Sequence, residues 1–251
     1  AHHRWGGAHI VLQMVTLLFG VLNVGEYAIP VWLGKKPPTE QLLCDGYQLS
    51  LGVRNPAALN GTSLDSKQVL CHPYEAQDPE SASNWVKATV ERWGGLDGLI
   101  HCAGILRSTP LVFSAGEERD LDDLWKVNVM GPWWLTRAAW SELCQSGEGR
   151  IQVLVSMSGK RVKGQMAGYP VSKFALMGLC QSMRNTGWDQ GIRVTALCPS
   201  WVNTKMANGI SRLSPEEMTQ PCDLAALSSQ LLALPNAAIP FEVALNCALE
   251  I

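Results

Sequence analysis

Three residues in one stretch of the chain have types and spacings suited to proton transfer. Ser156 follows an apolar run over residues 151–155 that is typical of a buried strand, and Tyr169 and Lys173 lie four positions apart in an apolar-periodic segment. On a helix, that spacing puts the phenol and the ammonium on one face. A nearby ammonium favours the phenolate and lowers the phenol pKa, while a serine hydroxyl can hydrogen-bond a carbonyl oxygen. The pattern therefore predicts a site that moves a proton onto or off a substrate oxygen.

Bringing these side chains together requires a strand that ends beside the start of a helix. From residue 41 onward, segments typical of strands and helices alternate. Strands are predicted within residues 47–53, 68–71, 96–105, 151–155, 192–199 and 241–247, and helices within residues 81–93, 120–144, 169–185 and 223–234. This alternation predicts a Rossmann-like, doubly wound α/β fold, with a mostly parallel sheet and helices on both faces. A chain of 251 residues is predicted to form a single domain.

The stretch around the serine, tyrosine and lysine resembles the active-site segment of the short-chain dehydrogenases/reductases. The resemblance rests on a strand-end serine, on Gly159 shortly after it, and on the Ser172-Lys173 pair that follows the tyrosine. It implies that Tyr169 is the general acid in carbonyl reduction and that Ser156 orients the carbonyl. It also implies that Lys173 lowers the tyrosine pKa and holds the cofactor ribose.

A fourth member of this set is implied by the segment WKVNVMG. Its asparagine, Asn128, resembles one that the family places in mid-helix, where it holds a water that links the lysine to solvent. Asparagine is mildly unfavourable inside a helix, so its presence there needs a reason. The resemblance therefore implies a proton path from solvent through Lys173 to Tyr169.

The same resemblance implies contacts to a nicotinamide cofactor at the ends of several strands. The segment HCAG keeps the Ala-Gly of the family's Asn-Asn-Ala-Gly motif, and Thr204 stands where the family's threonine contacts the nicotinamide amide. Glu75 resembles the acidic position that caps the adenine pocket. Besides Tyr169 and Lys173, the cofactor-binding residues implied in this way are Glu75, Cys102, Ala103, Gly104, Pro199, Val202 and Thr204.

Arg54 follows the second predicted strand and bears on the choice of cofactor. In the family, an acidic residue here holds the adenosine ribose and selects NAD, whereas a basic residue accepts the 2'-phosphate of NADP. Arg54 therefore predicts NADP, with NAD as the open alternative. The other interpretation of Arg54 is a solvated arginine at a strand end.

Residues 1–40 do not fit the family pattern. The glycine-rich loop expected after the first strand is absent, and the spacing of Gly20 and Gly25 only approximates it. The apolar run over residues 10–24 is shorter than the roughly 20 residues that span a bilayer. A signal-type segment, a membrane-surface anchor, and a buried strand with its continuation all stay open for it. Either the N-terminus has diverged or these residues are not the native ones.

Charge and cysteine usage narrow the class of protein. A net charge of −2 gives no basic face for nucleic acid, and the eight cysteines are scattered without a C-x-x-C pair. This pattern predicts reduced thiols, no metal site and a cytoplasmic location. The short length of the apolar run over residues 10–24, with the polar Gln13 and Asn23 in it, makes a membrane partner the least favoured alternative. The resemblance implies that the apolar helix over residues 174–185 packs against another copy, which predicts a homodimer or homotetramer.

The region over residues 205–221 bears on the substrate, because in the family it folds over the substrate as a lid. Here it is short, with few charges, and it favours a modest, rather apolar carbonyl or alcohol. Together these features predict an NADP-dependent oxidoreductase that reduces a ketone, aldehyde or 3-oxoacyl group to an alcohol, or catalyses the reverse. The alternative is a non-catalytic relative, a scaffold or regulatory protein whose cofactor binding is impaired because the glycine loop is missing.

Overall fold

Short apolar stretches rich in Val, Ile and Leu form the strands, and these pair into one sheet. The computed structural model describes residues 9–13, 42–204, 206–207 and 213–247. The strands are β1 (His9–Gln13), β2 (Gln48–Val53), β3 (Val69–Pro73), β4 (Gly98–His101), β5 (Arg150–Leu154), β6 (Arg193–Pro199) and β7 (Glu242–Leu245). They lie in the order β3-β2-β1-β4-β5-β6-β7, and each neighbouring pair is parallel. The order of the first six strands is that of the Rossmann fold.

Helices connect the strands, as a parallel sheet requires. The α-helices are α1 (Pro79–Trp93), α2 (Glu118–Trp125), α3 (Gly131–Gln145), α4 (Gly168–Gly187) and α5 (Pro221–Ala233). Sequence signals set the ends of α1: the Asp78 side chain accepts a hydrogen bond from the Glu80 amide, Pro79 opens the helix, and Gly94 ends it at a φ of 83°. The prediction of a doubly wound α/β fold is confirmed.

The strand order reverses between β1 and β4, and this reversal locates the site. In sheets of this kind, ligands bind beyond the carboxyl ends of the strands at the point of reversal. Cys102 follows β4, Ser156 lies just beyond β5, and Pro199 ends β6. The residues singled out by sequence therefore lie along one edge of the sheet.

The central strands are buried on both faces, and Leu99, Val153 and Ala196 are 0% exposed. On one face, α1 is fixed to β2 by Trp85, whose indole N–H donates to Ser50 Oγ at 2.8 Å. A Cβ added at Gly52 would lie 2.5 Å from the Trp85 ring. Glycine at that position therefore allows the close approach of helix and strand.

The helix predicted over residues 120–144 is interrupted. A π-helical segment, Lys126–Met130, separates α2 from α3, and the Gly131 amide donates to the Lys126 carbonyl. Pro132 has no N–H, so the carbonyl of Asn128 cannot accept the usual α-helical hydrogen bond four residues on. The sequence analysis treated this stretch as one continuous helix.

The structure describes five residues, His9–Gln13, at the start of the apolar N-terminal run. Of the alternatives for residues 10–24, the strand applies at its start, because His9–Gln13 pairs with both β2 and β4. Residues 14–41, in which the glycine loop was expected and not found, lie outside the described residues. In the part of the chain that the structure describes, no helix is both long and apolar enough to cross a membrane.

Candidate active site

Ser156 occupies an unusual backbone conformation at the end of β5. Among the described residues it is the one non-glycine with positive φ, at a φ of 144° and ψ of 158°. Such a conformation costs about 1–3 kcal/mol and persists where surrounding contacts enforce it. Here the Val155 amide donates to the Leu197 carbonyl at 2.8 Å, and the Ser158 amide donates to Ser156 Oγ at 3.0 Å. The serine hydroxyl is thereby fixed next to the sheet edge.

Gly159 lets the serine turn pack against α4. A Cβ at this position would lie 2.6 Å from Val155 Cγ1 and 2.8 Å from the Lys173 carbonyl oxygen. Only glycine allows the turn after Ser156 to come so close to the helix backbone.

Tyr169 and Lys173 lie in the first two turns of α4, and both side chains are buried, 8% and 3% exposed. The helix start is held by the Ala167 and Gly168 amides, which donate to the Thr109 carbonyl at 2.9 and 3.2 Å. The Tyr169 hydroxyl hydrogen-bonds Ser156. Lys173 Nζ donates to the Leu154 carbonyl at 3.0 Å and lies 5.7 Å from the centroid of the Tyr169 ring. The serine, tyrosine and lysine predicted from sequence are thus in one place.

The protonation of this group differs from the sequence-based expectation. Burial raises the pKa of Tyr169 to about 12, and the hydrogen bond with Ser156 offsets part of that effect. Burial lowers the pKa of Lys173 to about 8. The pKa of Tyr169 thus lies above its usual value, unlike the expectation from the four-residue spacing, because desolvation of the phenolate outweighs the hydrogen bond with Ser156. At neutral pH the tyrosine is a neutral phenol that can donate a proton.

Asn128 lies in the π-helical segment and is fully buried. Its Nδ2 donates to the Ile105 carbonyl and to Ser172 Oγ, both at 3.0 Å, and its Oδ1 accepts from the Ile105 amide at 2.7 Å. Ser172 Oγ in turn donates to the Tyr169 carbonyl at 2.7 Å. The asparagine side chain thus contacts protein groups and ties the chain after β4 to the helix that carries the tyrosine.

A cavity of about 230 Å³ opens onto the tyrosine and serine hydroxyls. Of the predicted residues, Cys102, Ser156, Tyr169, Lys173, Pro199, Val202 and Thr204 line it. Burial raises the pKa of the Cys102 thiol to about 12, so this thiol is protonated at neutral pH. The cavity therefore offers hydroxyl, thiol and ammonium groups along one side.

The remaining predicted residues lie outside the cavity. Ala103 and Gly104 are buried directly after Cys102, whereas Arg54 and Glu75 are exposed at the ends of β2 and β3. The Glu75 carboxylate accepts a hydrogen bond from the Gln77 amide at 3.3 Å, within its own turn. Both charged residues still lie at the carboxyl edge of the sheet.

The sequence analysis missed several residues that line the cavity. Leu106, Met157, Met166 and Trp201 provide apolar walls, and Arg161 and Lys163 add positive charge. The basic run KRVK between Ser156 and Tyr169 could have indicated Arg161 and Lys163. The apolar wall residues carried no such signal, because apolar side chains in a loop resemble ordinary core residues.

Comparisons with known proteins agree with the geometry. A family model described as short chain dehydrogenase matches residues 39–213. Agropine synthesis reductase of Rhizobium rhizogenes is 34% identical over 209 residues, which cover 81% of this chain and 47% of that protein. Oxidoreductase UcpA of Escherichia coli K12 is 31% identical over 171 residues, which cover 67% of this chain and 63% of that protein.

Solved structures share the fold at lower identity. An alcohol dehydrogenase from Thermococcus sibiricus, complexed with 5-hydroxy-NADP, superposes with a TM-score of 0.78 at 24% identity, covering 95% of this chain and 96% of that one. A 3-ketoacyl-(acyl-carrier-protein) reductase from Brucella melitensis, complexed with NADH, gives a TM-score of 0.78 at 18% identity, with coverage of 95% and 96%. The chain spans about half to two thirds of the length of the curated relatives described above.

Proposed function

This chain belongs to the short-chain dehydrogenase family, and on that basis we propose that it is an NADP-dependent oxidoreductase acting on a carbonyl or alcohol group. The observation that carries the proposal is the meeting of Ser156, Tyr169 and Lys173 in one cavity, beyond the point where the strand order reverses. The name of the relative agropine synthesis reductase supports reduction as the direction.

The residues at this edge fit a nicotinamide dinucleotide. The buried Lys173 ammonium would hold ribose hydroxyls, and Thr204 would hold the nicotinamide amide. Ala103 and Gly104 are small and buried where the chain leaves β4, which suits close approach of a cofactor. When bound, the nicotinamide supplies the hydride, since no side chain can do so.

The proposed reaction uses the two hydroxyls as a pair. A carbonyl oxygen between Ser156 and Tyr169 would accept a hydrogen bond from each. As hydride reaches the carbonyl carbon, the phenol gives its proton to the developing alkoxide. The pKa of about 12 keeps the phenol protonated until that moment, and the Lys173 ammonium then stabilises the phenolate that remains.

Asn128 would support this chemistry in two ways. Its side chain fixes the start of α4 through Ser172, and so holds Tyr169 in place. Its backbone carbonyl faces Pro132, which has no N–H to donate to it. That carbonyl is therefore the atom we assign to the water that returns a proton to Lys173.

Arg54 is the residue proposed to select NADP. We expect Arg54→Gln to weaken NADPH binding by about 10-fold or more, because a hydrogen bond to a charged group contributes about 1.5–3 kcal/mol. Binding of NADH, which lacks the 2'-phosphate, should change little. Cofactor fluorescence titration measures both, with Arg119→Gln on α2 as the control for loss of one exposed arginine. An equal loss for both cofactors would contradict the role of Arg54.

We also propose that a second copy of the chain covers the exposed apolar side chains of α2, α3 and α4. Val171 is 62% exposed and Phe174 is 43% exposed, on the helix that carries Tyr169. Trp125 and Trp133 are exposed by 48% and 51%. We expect light scattering to give a dimer or tetramer, and Val171→Glu with Phe174→Glu to give smaller species. A wild-type mass of 27.4 kDa, that of one chain, would contradict this.

A further inference from the structure

Positive charge is concentrated in the cavity. Arg161, Lys163 and Lys173 line it, and none of the described lining residues is Asp or Glu. The chain as a whole has a net charge of −2, so this grouping does not follow from composition. A low-dielectric cleft lined by one sign of charge attracts ligands of the opposite sign.

Arg161 and Lys163 are carried by a segment that is fixed at both ends. At its start, the Arg161 amide donates to the Met157 carbonyl at 3.1 Å, within the turn that follows Ser156. At its end, Met166 forms a bridge with Pro110, and the Ala167 amide donates to the Thr109 carbonyl. The backbone that carries the two cations is therefore fixed between the turn after Ser156 and the start of α4.

The basic residues of this segment differ in their ion pairs and in their exposure. Lys160, at the start of the same segment, pairs with Glu242 of β7. Among the residues that the structure describes, no ion pair engages Lys163. Arg161 is half-buried at the cavity wall, whereas Lys163 is exposed. Both cations thus line the wall that a ligand in the cavity would contact.

The NADP phosphate is a poor explanation for these cations. The 2'-phosphate would lie near Arg54 at the end of β2, whereas the basic segment follows β5. In the order β2-β1-β4-β5 the two strands are three intervals apart, or about 14 Å at the usual spacing of parallel strands. The 2'-phosphate therefore does not account for Arg161 and Lys163, which leaves the substrate as the anion they would bind.

We propose that this cavity selects carbonyl substrates that carry an anionic group, with Arg161 and Lys163 binding the anion while Ser156 and Tyr169 bind the carbonyl. This rests on the proposed function, and it revises the expectation of an apolar substrate. Met157, Met166 and Trp201 form apolar walls for the carbon chain between the two polar ends. The anion is a carboxylate on the substrate itself or a phosphate on a carrier attached to it.

The test compares each anionic carbonyl with a neutral partner. The first pair is 4-oxopentanoate and its methyl ester, and the second is acetoacetyl-CoA and the acetoacetyl thioester of N-acetylcysteamine. Each is assayed by NADPH oxidation and, separately, by calorimetric binding. The proteins are wild type, Arg161→Gln with Lys163→Gln, and Lys87→Gln, which removes an exposed lysine of α1 outside the cavity.

We expect wild type to prefer the anionic member of one pair by about 10-fold or more in kcat/KM, equivalent to about 1.4 kcal/mol. The double variant should lose this preference, and Lys87→Gln should keep it. Preference in the first pair assigns a carboxylate, and preference in the second assigns carrier phosphates.

Three results would distinguish failure of the anion preference, failure of the proposed function, and failure of the assignment to Arg161 and Lys163. Equal reduction of both members in both pairs would overturn the anion preference and leave the oxidoreductase intact. Preferential binding of the anions, lost in the double variant but without any NADPH oxidation, would support the anion site and overturn the proposed function. A preference that survives in the double variant would overturn the assignment to Arg161 and Lys163.

Discussion

We expect Tyr169→Phe to lower kcat for carbonyl reduction by about 10²- to 10⁴-fold, the range that a positioned general acid contributes. The phenylalanine ring fills the same buried space, so the substitution removes little more than the hydroxyl. That hydroxyl is protonated at neutral pH, with a pKa of about 12, and it hydrogen-bonds Ser156. Steady-state NADPH oxidation, followed at saturating 4-oxopentanoate or its ester, measures the loss.

The loss must come from chemistry rather than from folding or cofactor binding. NADPH affinity should therefore stay close to that of wild type in the Tyr169→Phe variant. Tyr47→Phe is the matched control, because Tyr47 is equally buried, 3% exposed, but lies in a separate part of the core. It should retain turnover. Substantial turnover by the Tyr169→Phe variant would remove the proposed mechanism.

The second large effect is expected for Lys173→Met. Methionine keeps an unbranched apolar stem and removes the ammonium that would stabilise the Tyr169 phenolate and hold the ribose. It also leaves the Leu154 carbonyl without the donor that now lies 3.0 Å away. We expect kcat/KM to fall by about 100-fold or more, since one preorganised charge contributes that much in comparable sites. Lys87→Met, at an exposed position on α1, should leave it unchanged.

The charge on Lys173 also predicts a pH dependence. Burial lowers its pKa to about 8, so the ammonium loses its proton as the pH rises through that value. Tyr169 stays protonated over the same range, because its pKa is about 12. The initial-rate kcat/KM for reduction should therefore be level at lower pH and fall above about pH 8. A profile that stays level to pH 9.5 would show that the lysine charge is not needed.

The parts of the site that could be predicted from sequence depend on the regular spacing of residues in helices and strands. The four-residue spacing of Tyr169 and Lys173 places them on one helix face whatever the tertiary structure, and an apolar run that ends at Ser156 marks a buried strand. The alternation of such segments was enough to predict the parallel sheet. These features follow from backbone geometry, which sequence patterns record directly.

Other features depend on tertiary contacts that no local pattern records. The pKa of Tyr169 is set by burial, which the spacing of Lys173 does not reveal. Asn128 was predictable as a candidate residue, but its hydrogen bonds to Ile105 and Ser172 were not, because they connect segments far apart in sequence. The positive φ of Ser156 likewise lies between contacts to β6 and α4, which are distant in sequence. Sequence therefore located the candidate groups better than it predicted their electrostatic environment.

The most direct test of the central claim is deuteride transfer from 4-deuterated NADPH, of the reactive stereochemistry, to 4-oxopentanoate and its methyl ester. The product alcohol is examined by NMR for deuterium at the carbinol carbon. We predict that wild type places deuterium there and that Tyr169→Phe, with NADPH bound, does so at least about 100-fold more slowly. Tight NADPH binding by wild type without deuterium transfer to either ketone or to the acetoacetyl thioesters would contradict the account.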